Sequence, residues 1–229
     1  MIRTELLSRL ADFVPRANRS HPVRVGIDGV DAAGKTSLAD ELAVVLRARG
    51  RLVIRSSIEG FHNPKAFRYR RGALSPEGYY FDSFDYTNLW AALLQPLGPG
   101  GDLRYRVAVY DFRSDRPIHG EIRQASCDAV LLFDGVFLQR SELHDVWDLT
   151  IFVDVPIETA LARACTRDIS LFGSAAEVHS HYVNKYIPGQ KIYFEACHPD
   201  RHADIVVHND VPEEASLEIL STKKVRPGS

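Results

Sequence analysis

Apolar residues along the chain follow two alternating patterns, short β-branched or continuous runs and stretches at helical spacing. Leu6, Leu7, Leu10, Phe13 and Val14 recur at helical intervals among Arg3, Glu5, Arg9 and Asp12. This predicts an amphipathic helix within residues 1–20 that packs on the domain. Val23-Arg24-Val25-Gly26-Ile27-Asp28 is a strand pattern ending in glycines, and Leu38, Leu42, Val45 and Leu46 then mark a helix from Lys35 to Arg49, closed by Gly50. A second strand starts at Leu52-Val53-Ile54. A further helix ends over Ala91 to Leu97, at the Pro96–Gly101 turn cluster, and a third strand is expected at Tyr105 to Tyr110. Ala129-Val130-Leu131-Leu132-Phe133 and Leu149 to Val155 are continuously apolar, as central parallel strands covered on both faces must be. Glu158 to Ala196 carries helical spacing and predicts two helices joined near Phe172-Gly173-Ser174. Ile205-Val206-Val207 is a last short strand.

Strands that alternate with helices imply right-handed βαβ crossovers and a doubly wound, mostly parallel α/β sheet, expected here to be five-stranded. One domain accounts for the pattern: a helix over 1–20, a core over 21–157 and 198–215, a helical lid over about 158–197, and a flexible tail over about 221–229.

Composition narrows the function classes. With 229 residues, 45% apolar, 25% charged and a formal net charge of -2, the chain is an ordinary globular protein and not a general nucleic-acid binder. No apolar run reaches membrane-spanning length. The three cysteines, Cys127, Cys165 and Cys197, are scattered and odd in number, which fits a reducing, cytoplasmic compartment better than a disulfide framework. Cys197, His198 and His202 lie close together but lack a fourth ligand for zinc. Whether the chain forms a homo-oligomer is left open.

Gly29-Val30-Asp31-Ala32-Ala33-Gly34-Lys35-Thr36 matches G-x-x-x-x-G-K-[ST] between a predicted strand and a predicted helix, and Ser37 extends it. Glycines let successive backbone N–H groups turn inward onto phosphate oxygens, and the helix adds its positive N-terminal end. Lys35 would reach the β- and γ-phosphates of ATP or GTP, and Thr36 would ligate Mg²⁺. A purely structural turn has no use for a cation at a helix N-terminus, where the dipole disfavours it. Asp134 ends the apolar run Ala129–Phe133 and should emerge at the carboxyl edge of the sheet as the second metal-side acid. Glu59 ends the second strand at the same edge, where a carboxylate could share the metal site, orient an acceptor hydroxyl and take its proton. Arg163 and Arg167, four apart, share a helix face and could both address the transferring phosphoryl group.

With those residues placed, the chain resembles the uridine kinase and phosphoribulokinase family of P-loop kinases from about Val23 to Val207, and the fold implied is that of a P-loop NTPase with a helical lid. Glu59-Gly60-Phe61, with His62, resembles the family's segment bearing the catalytic acid, with Glu in place of Asp. Phe81-Asp82 resembles its ribose-holding pair, and Tyr110-Asp111-Phe112 with Arg116 its acceptor loop. Asp115 stands where uridine kinases usually carry a base-binding His. Phe133-Asp134-Gly135 is similar to the Glu-Gly motif, with Asp at the metal position, and Arg163 with Arg167-Asp168 matches the start of the lid. A further lid arginine is missing near Leu171-Phe172-Gly173.

The resemblance implies ATP-dependent phosphoryl transfer to a small-molecule hydroxyl, uridine or cytidine first, with Mg²⁺. A pantothenate-like, sugar or sugar-phosphate acceptor is the alternative, and Arg68-Tyr69-Arg70-Arg71 is a basic patch that could receive one. A nucleotide switch fits less well, because Asp134-Gly135-Val136-Phe137 is not D-x-x-G and Asn184-Lys185-Tyr186-Ile187 is not N-K-x-D. A catalytically silent kinase homologue is the third reading.

Overall fold

The computed structural model describes residues 1–15 and 20–220. The predicted first helix forms as α1, Arg3–Phe13, and residues 16–19 of the expected span lie outside the described residues, as does the tail expected over 221–229. Then come β1, Val23–Gly29, α2, Lys35–Ala48, and β2, Val53–Ser57. Three short helices follow: α3, Lys65–Arg68, α4, Pro76–Asp82, and α5, Tyr86–Leu89, which continues as a π-helical turn over Trp90–Leu94. Four two-residue strands come next: β3, Arg104–Tyr105, β4, Tyr110–Asp111, β5, Arg116–Pro117, and β6, Arg123–Gln124. The remaining core strands are β7, Val130–Asp134, and β8, Leu149–Asp154. A helical segment runs through α6, Ile157–Arg167, α7, Ile169–Phe172, α8, Ala175–His181, a π-helical turn at Tyr182–Tyr186, and α9, Ile187–Cys197. After α10, Pro199–His202, come β9, Ile205–His208, and β10, Ser216–Ile219.

The main sheet has six strands in the order β10-β9-β8-β1-β7-β2. Five are parallel, and the sixth, β10, adds antiparallel to β9 through Ser216↔His208 and Leu217↔Val207. The expected count of five misses this edge strand, whose mostly exposed Ser-Leu-Glu-Ile sequence carries little apolar signal. A second correction concerns Tyr105 to Tyr110, which is not in the main sheet at all. Its residues are mostly half-buried, and it crosses the exit of β2 instead. There Ser56 Oγ donates to the Val107 carbonyl (2.7 Å) and Val109 N–H to the Gly60 carbonyl (2.9 Å).

Alternation along β1 divides the core. Val23, Val25 and Ile27 face α1 and α2, where they meet Leu6, Leu10, Leu38 and Leu42. The other face of the sheet is covered by a separate cluster of Leu131, Phe133, Phe137, Trp147 and the α4 and α9 tyrosines Tyr79, Tyr80 and Tyr193. Gly26 lies under Trp147, where a Cβ would meet ring atoms at 2.8–3.0 Å. Among the described residues no helix is long and apolar enough to cross a membrane.

Candidate active site

The turn between β1 and α2 is built by residues that a side chain would block. Gly29 has φ +147° and a Cβ there would lie 2.4 Å from the Val153 carbonyl oxygen. Ala32 takes a left-handed φ of 60°, strain that a non-glycine residue bears only where the surrounding turn demands it. The Ala33 N–H closes the turn on the Val30 carbonyl (3.2 Å), and Gly34, also left-handed, starts α2. Lys35 is buried and its Nζ donates to the Val30 carbonyl at 2.6 Å, across the mouth of the turn. Burial lowers its pKa, and Asp31, Asp28 and Asp134 work against that shift.

At the sheet edge beside the cradle, Thr36 Oγ1 donates to Asp134 Oδ2 at 2.7 Å. Asp134 is buried, 2% exposed, and its other oxygen accepts from Arg55 Nη2 at 2.8 Å. Arg55 comes from β2 and also donates to the Leu132 carbonyl (2.7 Å) and Asp40 (2.9 Å). The hydroxyl and carboxylate of Thr36 and Asp134 are hard oxygen donors of the kind Mg²⁺ prefers. Glu59, on the 3₁₀ turn Ile58–Phe61 after β2, keeps 54% of its side chain open to the cleft. The cleft walls that crowd it, and next the Asp31 carboxylate, push its pKa up to about 7, with Lys35 and Arg167 opposing. Glu59, Lys35, Asp134 and Arg167 therefore lie within electrostatic reach of one another.

The acceptor side departs more from expectation. Phe61 is fully buried against Phe133, ring centroids 6.2 Å apart, so it packs the core and is not open to a substrate. His62 stands between the rings of Phe84 and Phe112, at 4.7 and 4.8 Å. Burial lowers its pKa to about 4, which keeps it neutral at pH 7. Asp82 is buried with each carboxylate oxygen taken, by Arg70 (2.6 Å) and Arg71 (2.8 Å). Burial alone would raise its pKa, but these two bonds hold it below the usual carboxylate range. Its neighbour Phe81 is half exposed. Asp115, in a left-handed conformation, gathers the Lys65 N–H, Arg68 and the Tyr110 hydroxyl. Asp111 is spent on its own turn, accepting from Ser114 and Arg113, and Arg116 is exposed on β5.

The two α6 arginines separate in role. Arg167 forms a two-point contact with Asp168 (2.7 and 2.9 Å) and meets Tyr182, yet its charge still reaches Glu59 and Lys35. Arg163 instead donates to the carbonyls of Asn209 (2.7 Å), Asp210 (2.9 Å) and Ala33 (3.4 Å). Those three bonds tie the cradle to the loop after β9 and occupy the Arg163 guanidinium. The two arginines expected to act together thus take different partners in the structure.

The profile of the phosphoribulokinase / uridine kinase family matches residues 24–213. The chain belongs to that family. Uridine-cytidine kinase B of Dictyostelium discoideum is 25% identical over 89% of this chain and 82% of its own length. Uridine kinase of Brevibacillus brevis is 25% identical over 89% of this chain and 92% of its own. Among solved structures, one described as a possible uridine kinase from Bacillus stearothermophilus superposes with a TM-score of 0.68 at 23% identity, covering 89% of this chain and 97% of that one. As a member of the phosphoribulokinase / uridine kinase family, the chain is a nucleotide-binding phosphotransferase with a hydroxyl acceptor.

Several residues that shape this family member's cleft carry no sequence signal. Asp28, fully buried beneath the cradle, accepts from Gly29 N–H (2.8 Å), from the Tyr193 hydroxyl and from Gln139. Asp31 accepts from Tyr79 (2.6 Å) and Gln190 (2.9 Å), which fastens the cradle to α4 and α9. Asp31 belongs to the cradle motif itself, and Asp28 could have been suspected as a charge ending a buried strand. Arg55, Tyr79, Gln190 and Tyr193 reach the site through contacts between distant segments.

Proposed function

We propose that the chain transfers the γ-phosphoryl group of ATP to a hydroxyl of a small molecule, with uridine or cytidine as the acceptor the relatives' names favour. The observation that carries this reading is the strand-end carboxyl of Glu59 within electrostatic reach of Lys35 and of Asp134, the acid that Thr36 binds. In the reaction the acceptor oxygen bonds to the γ-phosphorus, the bond to the β-phosphate bridging oxygen breaks, and the hydroxyl proton passes to Glu59. Lys35 and Arg167 balance charge on the phosphates, with Lys35 leaving its carbonyl partner for them. The cradle's inward N–H groups bind the β-phosphate region and hold the donor in line. Thr36 and Asp134 would hold Mg²⁺, which would supply neutralisation of the leaving phosphate charge. The helices from Ile157 to Cys197 act as the lid that excludes water.

A second reading changes only the acceptor, to a pantothenate-like, sugar or sugar-phosphate molecule. It is favoured by the pairing of Asp82, the acid matched to ribose binding, with Arg70 and Arg71 in a strongly basic acceptor end. ADP release with MgATP across uridine, cytidine and these acceptors tests both. Transfer to none of them, with MgATP bound, refutes the phosphotransfer reading.

A further inference from the structure

The acceptor end of the cleft holds more positive charge than its carboxylates balance. Lys185, on the π-helical turn before α9, is 6% exposed, and among the described residues it has no ion-pair partner. Its Nζ lies 4.5 Å from the centroid of the Tyr69 ring and 5.4 Å from that of Tyr186. Over the same Tyr69 ring stand the Arg68 guanidinium at 5.6 Å and the Lys65 ammonium at 5.9 Å. Arg68 has a 10% exposed side chain, one contact to Asp115 at 3.3 Å, and an Nε that is buried with no partner.

Around the Tyr69 ring Lys65, Arg68 and Lys185 contribute three positives, and Asp115 one negative. Burial, and then the Arg68 charge, lower the Lys185 pKa to about 8, so it stays mostly protonated at pH 7 in a place where its charge is disfavoured. Desolvating a cation costs several kcal/mol, whereas a cation–π contact returns about 0.5–2 kcal/mol. A ring alone is therefore a poor reason to bury this lysine next to an arginine. His62, whose Nε2 is 3.9 Å from Glu59 Oε2, lies within electrostatic reach of both cations.

We propose that Lys185 and Arg68 form an anion-binding subsite at the far end of the acceptor cleft, so that the acceptor is a small alcohol that also carries a carboxylate or a phosphate. The inference rests on the phosphotransfer reading and chooses between its two acceptors. The hydroxyl end of such a molecule meets Glu59, and its acid end completes the charge balance around Tyr69.

The test measures ADP release with MgATP in three arms: uridine and cytidine, hydroxycarboxylates such as pantothenate and glycerate, and pentose or hexose monophosphates. The expected result is a kcat/KM for one charged arm at least about tenfold above that of the nucleosides, since a charge-assisted contact is worth about 1.5–3 kcal/mol. Lys185→Met should raise KM for that acceptor about 10- to 100-fold with a much smaller change in kcat, and Lys185→Arg should recover most of the loss. Arg68→Gln gives the same split if Lys185→Met does not fold. Highest efficiency with neutral nucleosides, and KM moved less than twofold by these substitutions, overturns the subsite and leaves the phosphotransfer reading standing. If every arm is inert, that reading falls separately, and the subsite is judged by calorimetry with inorganic phosphate or acetate while a non-hydrolysable MgATP analogue fills the cradle. Binding weakened at least tenfold by Lys185→Met or Arg68→Gln supports it, and binding that is absent or unaltered overturns it.

Discussion

Arg55→Met isolates the most consequential contact of the phosphate side. The substitution keeps much of the apolar stem but removes the guanidinium that holds Asp134 at 2.8 Å and the Leu132 carbonyl at 2.7 Å. Breaking a buried ion pair by removing one partner costs about 3–5 kcal/mol. Arg55 is 19% exposed, Thr36 continues to donate to Asp134, and the Asp40 contact is too open to count, which places the expected loss at the lower end, about 3 kcal/mol. For a chain of this size that corresponds to a Tm lower by roughly 6–12 °C. Chemical denaturation in EDTA gives the first number. A second series with ADP and Mg²⁺ should bring the variant closer to the parent, because a bound cation beside Asp134 replaces the missing one. A loss under about 1 kcal/mol, or an unchanged difference in the presence of Mg²⁺ and nucleotide, refutes the view that Arg55 is the resident counter-charge of Asp134.

Four further outcomes follow. Because the Glu59 pKa is raised to about 7, its base form is lost as pH falls, so kcat/KM for the acceptor should drop tenfold per unit below about pH 7 and level above it. Glu59→Gln should lower kcat by about 10²–10⁴ and abolish that acid limb, and a limb that persists assigns the proton to another group. Arg163→Ala should weaken nucleotide binding and expose the Asn209–Asp210 loop to faster amide exchange, with kcat at saturating ATP changed far less than in Arg167→Ala; equal kcat losses would return Arg163 to the transferring phosphoryl. Gly26→Ala, which drives a methyl into Trp147, should destabilise the fold by about 1–3 kcal/mol in urea unfolding, and a neutral effect would mean that the Trp147 layer repacks.

What the chain declares locally is its framework. The cradle from Gly29 to Thr36 is contiguous, its strand and helix announce themselves by spacing, and the carboxyl edge then locates Glu59 and Asp134 without knowledge of any contact. The central strands were legible for the same reason, because burial on both faces demands an uninterrupted apolar run. Tyr105 to Tyr110 shows the limit, since a run with strand propensity but half-buried residues joins whichever partner the fold brings near it.

Charge pairing was the part that only tertiary structure decided. Arg55 and Asp134 are 79 residues apart, and Lys185, within the helical segment, lies over the ring of Tyr69. Asp82, which matched a substrate-holding pattern, is instead closed by two arginines from the segment between α3 and α4. Sequence spacing says which faces are apolar and where a phosphate cradle lies. It does not say which side chain satisfies which buried charge, because that depends on how helices and loops with no regular period are laid across the sheet edge.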